Sequence, residues 1–256
     1  MIETSEKEII NKHKQNQMLK LATKSFYNEL MKFGIDKGDI VTVSMQLLDY
    51  LMQKDGNQVN DNGYYNRDFH IGNINNNWEQ QESLTYEDVI ISPVQIKEIP
   101  RISNWLGDPV IKNSFVRQFP EKEEDLLEYL QDPQRKYFSI YFNSEPVGVI
   151  GADNIEKNSY KLEMKKFIGN SKYQGKGLGK RATFLFLYYV FNILDFNKVY
   201  IYSNNANLRN INLNSKFGFE LEGVFFEDIR IADKKQDTLR MGLLKSRWTE
   251  IFCNFE

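Results

Sequence analysis

Residues 163–180 read EMKKFIGNSKYQGKGLGK, and the segment after them, RATFLFLYYVFNIL, runs apolar and aromatic to Leu194 without proline or glycine. The quoted stretch begins as a strand and then sets Gly175, Gly177 and Gly179 directly ahead of a helix-forming run. Glycine lets a backbone turn through positive φ and lets a ligand approach the main chain, while a helix start offers unpaired N–H groups. Strand, glycine loop and helix start together suit a phosphate. Lys172, Lys176, Lys180 and Arg181 add positive charge at the same end, which a diphosphate would neutralise. A glycine-rich turn under a solvated basic face is the alternative, and the flanking elements decide between the two.

Working outward, the pattern is one of alternating elements. Helices are expected over Lys97 to Leu106 and Glu121 to Leu130. YFSIYF and EPVGVIGADN, joined by the turn residues Asn143 and Ser144, read as a strand hairpin. KLEMKKFIG is the central strand, KVYIYS a short strand, ANLRNINLNSK a helix, and FELEGVFFEDI with TLRMGLLKS two further strands. The run FLFLYYVF is apolar on nearly every helical face, which marks helix core rather than a base-stacking platform.

Ahead of the strand-like VIISPV the composition changes. Met18, Leu19, Ala22, Phe26, Leu30 and Phe33 approximate one face of a helix from Gln17 that ends at Gly34. From Asp39, a plausible N-cap, Ile40, Val43, Leu47, Leu48 and Leu51 again fit helical spacing, although IVTV alone could begin a strand. DGNQVNDNGYYN and GNINNNW have the composition of turns and loose connections. The chain therefore divides into residues 1–84, a helical N-terminal appendage with an asparagine-rich linker, and a domain over residues 85–256.

Composition narrows the function classes. With 41% hydrophobic residues in 256, the chain can bury a sizeable core. It has no uninterrupted apolar run of the ~20 residues a spanning helix needs. Its start, MIETSEKEIINKHKQ, is charged where a signal peptide is apolar, so a cytoplasmic protein without a membrane partner is expected. The single Cys253 cannot form an internal disulfide and reads as a packed terminal residue. His13 and His70 lie far apart, so no metal is expected, and His70 has no evident serine or cysteine partner for catalysis. A formal net charge of −2 argues against binding nucleic acid by general backbone neutralisation.

The order of elements and the residues within them resemble the GNAT family of N-acetyltransferases, and most closely its RimJ/RimL-type branch, over residues of about 88–250. Glu163 to Gly179 is similar to the family's fourth strand and pyrophosphate loop, Q/R-x-x-G-x-G/A, with Gln174, Gly177 and Gly179 at the signature positions. NLRNINLNSKFGFELEG, from Asn207 to Gly223, is similar to the family's asparagine, helix, K-x-G-F and E-G elements. ISNWLGDPV, RKYFSI and PVGVIG resemble its first helix and its second and third strands. The resemblance implies an α/β (α+β) fold: a mixed, mostly antiparallel sheet with splayed central strands and flanking helices, preceded here by the helical appendage. It implies acetyl-coenzyme A as co-substrate. Gln174, Gly175, Lys176, Gly177, Leu178, Gly179 and Lys180 would then cradle the pyrophosphate, and main-chain groups near Phe167, Ile168 and Gly169 would bind the pantetheine. Asn207 resembles the asparagine that bonds the pantetheine arm; alternatively it is an ordinary N-cap.

Acetyl transfer to an amine needs a positioned neutral amine, a donor for the developing oxyanion and a route for one proton. Glu163 shares a strand face with Lys165 and Phe167 and is the candidate to accept that proton, directly or through water; the alternative is a solvated or salt-bridged strand glutamate. Asn214 stands where many family members have a tyrosine acid. An amide is no acid at neutral pH but can donate a hydrogen bond to sulfur, and Ser215 is the next donor in line. A thiol with a pKa near that of free cysteine, about 8.5, makes a tolerable leaving group even so. The expected acceptor is the primary amine of a small molecule, with a nucleotide-linked amino sugar suggested by RKYFSI and EGVFFED. Acetylation of protein amino termini, or a non-catalytic acetyl-coenzyme A module that binds a partner through its first 84 residues, are the alternatives; a homodimer is possible.

Overall fold

The computed structural model describes residues 2–32, 34–35, 64–112, 115, 119–120, 122–204, 208–231 and 234–253. Asn143 and Ser144 take φ of 49° and 63°, the left-handed values of a two-residue hairpin turn, and join β4 (Lys136–Phe142) to β5 (Glu145–Glu156) as expected. In β5 the run from Val147 to Asp153 is buried throughout, as befits a strand covered on both faces. Around this hairpin the sheet grows on either side. β1 (Asn75–Asn77), β2 (Ser83–Tyr86) and β3 (Val89–Pro93) extend it one way; β6 (Lys161–Ile168), β7 (Lys198–Asn204), β8 (Glu220–Ile231) and β9 (Lys234–Leu244) extend it the other. The order is β1-β2-β3-β4-β5-β6-β7-β9-β8, and every neighbouring pair is antiparallel except β6 with β7.

That exception shapes the molecule. β6 and β7 pair only at Lys161 with Lys198, Leu162 with Val199 and Glu163 with Tyr200. Beyond Glu163 each strand follows its other neighbour: β6 stays with β5 to Ile168, and β7 stays with β9 to Asn204. The two therefore diverge, and a cleft opens between residues 164–168 and 201–204.

Helices cover both faces. On one side lie α4 (Leu178–Tyr188) and α6 (Lys245–Phe252), whose Phe184, Trp248 and Phe252 pack with Phe138, Ile150, Met164 and Leu239 from the sheet. On the other lie α2 (Ile99–Leu106) and α3 (Glu123–Gln131), where Ile102, Leu106 and Leu126 meet Tyr137, Val149 and Phe167. The aromatic run is buried core, as expected of a helix apolar on nearly every face. It is not one regular helix to Leu194, however: after Tyr188 it widens into a π-helical turn, Tyr189–Ile193, in which three consecutive residues, Tyr189, Val190 and Phe191, remain buried. α5 (Leu208–Ser215) follows β7.

Upstream, α1 spans Ile2–Lys32, longer than the expected segment because the charged residues before Gln17 include no helix breaker. It ends as expected at Gly34, whose φ of 76° lets Gly34 N–H and Ile35 N–H reach Met31 O and Leu30 O. Leu21 is buried in the main core, and Lys24 pairs with Asp237 beside β8. The segment expected from Asp39 lies outside the described residues. GNINNNW differs from its reading as loose connection: Asn75–Asn77 form edge strand β1, and Trp78 packs on Tyr189 at 4.5 Å between ring centroids. Asparagine composition carries a turn signal, but an edge strand takes its hydrogen bonds from its neighbour whatever its side chains. The expected boundary between residues 84 and 85 accordingly falls inside β2, where Leu84 is fully buried and Tyr86 nearly so.

Candidate active site

β6 ends in the glycine loop, and the loop is tied down before it reaches α4. The Asn170 side chain accepts from Lys172 N–H at 3.1 Å, Tyr173 is buried and donates its hydroxyl to Glu145 at 2.8 Å, and Gln174 Nε2 donates to Ile168 O at 2.9 Å. Gly175 and Gly177 have φ of 79° and 81°, so both require glycine or its strain. Gly179 does not: its φ is ordinary, and a Cβ there would meet Ile168 Cγ1 at 3.8 Å. Gly177 O receives the N–H groups of Lys180 and Arg181, at 3.0 and 3.2 Å, and so starts α4. The N–H groups of Gly175, Lys176 and Gly177 donate to no main-chain acceptor among the described residues. A Cβ on Gly177 would meet only Arg181 Nη1, at 3.8 Å, so the space above the loop is open. Free main-chain donors at a helix start below open space fit a diphosphate.

The basic residues around the loop divide. Lys180 is bound by Asp68 at 3.1 Å and lies over the Tyr65 ring, and Arg181 is bound by Glu87 at 2.6 Å. Their charge is thus partly spent inside the protein. Lys172 and Lys176 are exposed and reach over the Tyr173 ring.

Alternation along β6 sorts the strand-end donors. Gly169 N–H is used on Val147 O at 2.9 Å. In an antiparallel ladder the neighbouring residue then faces away, so Ile168 turns its N–H and C=O toward the cleft while Phe167 turns both to β5. Of the three residues expected at the pantetheine, Ile168 alone offers a main-chain donor to the cleft. Phe167 contributes its buried ring to the α2–α3 side, and Gly169 contributes flatness: a Cβ there would lie 2.1 Å from the Trp105 indole.

Glu163 sits at the apex of the divergence, in the last β6–β7 pair, and is almost fully buried. Asn154 Nδ2 donates to its Oε2 at 2.8 Å. Tyr200, its partner across the pair, has its hydroxyl pKa raised to about 12, by burial first and then by the Glu163 charge. Asn214 is also buried and lines the cleft, but in an orientation that corrects its expected part. Its Nδ2 donates to Asn210 O at 2.8 Å and to Asn210 Oδ1 at 3.1 Å, so its donors are committed inside α5 and only Oδ1 remains to accept. Ser215 is not brought to the cleft; its hydroxyl donates to Asn212 O at 3.0 Å. Asn207 lies outside the described residues.

Two neighbouring lysines part company here. Lys165 points to the α3 side, where its ammonium meets Asp153 at 2.5 Å with Tyr129, Tyr137 and Arg135 around the carboxylate. Burial disfavours the Lys165 charge, but the Asp153 and Tyr129 charges and the Asp153 hydrogen bond together raise its pKa. Lys166 points to the α4 side and donates to Thr183 Oγ1 at 2.7 Å and to Asn214 Oδ1 at 3.2 Å. Burial lowers its pKa to about 7. Sequence reading missed Lys166, although the signal was present: it occupies the strand face of Leu162 and Met164, both core positions, where an unpaired lysine is costly. No group of three or more potential metal ligands occurs among the described residues, and no helix among them is long and apolar enough to cross a membrane.

Residues 88–220 match the family model described as Acetyltransferase (GNAT) domain. The chain is 26% identical over 144 residues to spermidine N(1)-acetyltransferase of Escherichia coli, covering 56% of this chain and 74% of that one. It is 26% identical over 149 residues to the enzyme of the same name from Vibrio cholerae, covering 57% and 82%. Among solved structures, the spermidine N-acetyltransferase from Vibrio cholerae in complex with CoA and spermine shares the fold, with a TM-score of 0.59 and 22% identity over 63% of this chain and 98% of that one.

Proposed function

The chain belongs to the acetyltransferase (GNAT) family and is an acetyl-coenzyme A-dependent N-acetyltransferase, and we propose that its acceptor is a primary amine of a polyamine. The observation that carries the reading is the divergence of β6 from β7 at Glu163 and Tyr200, which sets a buried carboxylate at the apex of a cleft whose rim is the glycine loop. Bound acetyl-coenzyme A supplies an acyl group already activated as a thioester. In this reading the N–H groups of Gly175, Lys176 and Gly177, with the Lys172 and Lys176 ammonium groups, hold the diphosphate. Ile168 N–H holds the arm, and Glu163, oriented by Asn154, takes the proton that the amine must lose.

Two considerations favour a polyamine over the nucleotide-linked amino sugar suggested by RKYFSI. The relatives named above act on spermidine. Of the two cations of that motif, Arg135 is bound by Asp132 and Asp153 and Lys136 faces Glu82 at 3.9 Å, and Lys198 and Arg240 are bound by Glu222, so the sheet does not hold these charges free for nucleotide phosphates. Placement in the RimJ/RimL-type branch rests on the motifs alone. The test is release of free coenzyme A thiol with spermidine, a nucleotide-linked amino sugar and an N-terminal peptide offered separately at equal concentration. The polyamine is expected to give the highest kcat/KM. A higher value for either other amine refutes the acceptor, and coenzyme A binding without turnover of any amine would favour a binding module.

A further inference from the structure

Lys166 is the one charged side chain that β6 sends into the cleft on the α4 side, and its partners are fixed. Thr183 Oγ1 gives its own proton to Gly179 O at 2.7 Å, so toward Lys166 it can only accept. Asn214 has both amide protons on Asn210, so its Oδ1 likewise accepts. An ammonium carries three donors. Two are held by these acceptors, and the third has no partner among the described residues while the side chain lines a cavity of about 90 Å³ between the diverged strands. We propose that the Lys166 ammonium is the acid that protonates the departing sulfur of coenzyme A, an inference that rests on the transferase reading above.

The amine nitrogen bonds to the acetyl carbon as the carbon–sulfur bond breaks, and the electron pair stays on sulfur. Sulfur takes a proton from Lys166 Nζ, which is left as a neutral amine. The proton from the acceptor nitrogen leaves by way of Glu163 to solvent, and Lys166 regains one from solvent, so that transfer from the neutral amine releases no net proton. Around the cavity, β7 presents Ile201 and the titratable Tyr202, α5 presents Asn210 and Asn214, and Phe115 closes one side. Lys165 also borders it, but its ammonium is bound by Asp153 on the far face of the sheet. None of these lining residues is a carboxylate that would hold the Lys166 proton in place, and burial brings the pKa to about 7, matched to giving up a proton near neutral pH.

Lys166 also ties β6 to α4 and α5, so the test must separate chemistry from bracing. The probe is free coenzyme A, titrated in complex with the enzyme by the ultraviolet absorbance of its thiolate against enzyme alone, which cancels Cys253. The bound thiol pKa should be lowest in Lys166→Arg, by about one unit or more against Lys166→Met, with wild type between them, because a nearby cation favours the thiolate and the lysine, unlike a guanidinium, gives up its charge above about 7. With acetyl-coenzyme A and spermidine, Lys166→Met should lower kcat by about 100-fold with coenzyme A affinity within about threefold. Lys166→Arg should keep the depressed thiol pKa and still be slow, since a guanidinium does not give up its proton. Full activity in Lys166→Arg would overturn the proposal by showing that charge alone suffices. Unchanged thiol pKa and kcat in Lys166→Met would also overturn it, leaving the lysine as a brace. Should Lys166→Met fail to fold, Lys166→Arg and the wild-type pH profile decide: wild-type kcat must fall as pH rises above about 7, and that limb must be absent from Lys166→Arg. A lysine-dependent thiol pKa in an enzyme that transfers to no amine would uphold the contact and refute the transferase reading instead.

Discussion

Replacing Gly177 by valine tests the phosphate cradle most directly, because its two costs can be separated. The first is conformational. Gly177 has φ of 81° and ψ of −1°, and an L-residue in that region costs about 1–2 kcal/mol, with a β-branched side chain at the upper end. No clash adds to it, since the Cβ would meet only Arg181 Nη1 at 3.8 Å. For 256 residues the entropy of unfolding is about 0.5 kcal/mol per degree, so 2 kcal/mol should lower Tm by about 4 °C. The second cost falls on binding. The valine methyl groups would occupy the space above the N–H groups of Gly175, Lys176 and Gly177, and losing one charge-assisted hydrogen bond costs about 1.5–3 kcal/mol. Kd for coenzyme A should therefore rise by about 10- to 100-fold. Calorimetry with coenzyme A gives that number, pantetheine serves as the ligand without diphosphate and should be unaffected, and circular dichroism gives Tm. A folded Gly177→Val protein that binds coenzyme A within about threefold of wild type would refute the cradle.

Three further outcomes follow from the same geometry. Glu163→Gln keeps the shape and the Asn154 contact but cannot take a proton, so kcat should fall by about 100-fold with coenzyme A affinity unchanged; an unchanged rate would assign the proton to another group. Burial alone would raise the Asp153 pKa, but the Lys165 charge and hydrogen bonds from Lys165, Tyr129 and Tyr137 bring it below the ordinary carboxyl value. A depressed carboxyl pKa stabilises the fold above the unfolded value, about 3.9, and that contribution is lost as pH falls through the folded value. Lys165→Met should therefore cost about 3 kcal/mol at pH 7 by urea unfolding, Arg135 still facing the carboxylate, and should move acid unfolding to higher pH; an unmoved acid midpoint would show the pair to be dispensable. Leu84→Ala should cost about 2–5 kcal/mol, because Leu84 is fully buried; a loss below 1 kcal/mol would mean that β2 lies outside the cooperative core.

Elements with a strong period or turn chemistry were legible in the sequence. The β4–β5 hairpin follows from two residues able to take positive φ, α4 from an apolar run without a breaker, and the loop from glycines set before it. All are local: a few neighbouring residues settle them. What the sequence could not settle were properties that belong to pairs of distant elements. β1 is a strand only because β2 lies beside it. Gly169 spends its N–H on Val147, and Ile168 faces the cleft, because of the register of β6 on β5. Glu163 stands at an apex only because β7 leaves it there for β9. Asn214 could be named as a candidate from its place in LNSK, but which end of its amide faces the cleft depended on Asn210 one turn back and on Lys166 from another strand. The sequence thus determined the chemical groups and the local conformations that carry them. The tertiary structure decided which hydrogen bonds those groups had already spent, because a donor can be used once and its partner, 20 or 50 residues away, is chosen by packing and register rather than by local composition.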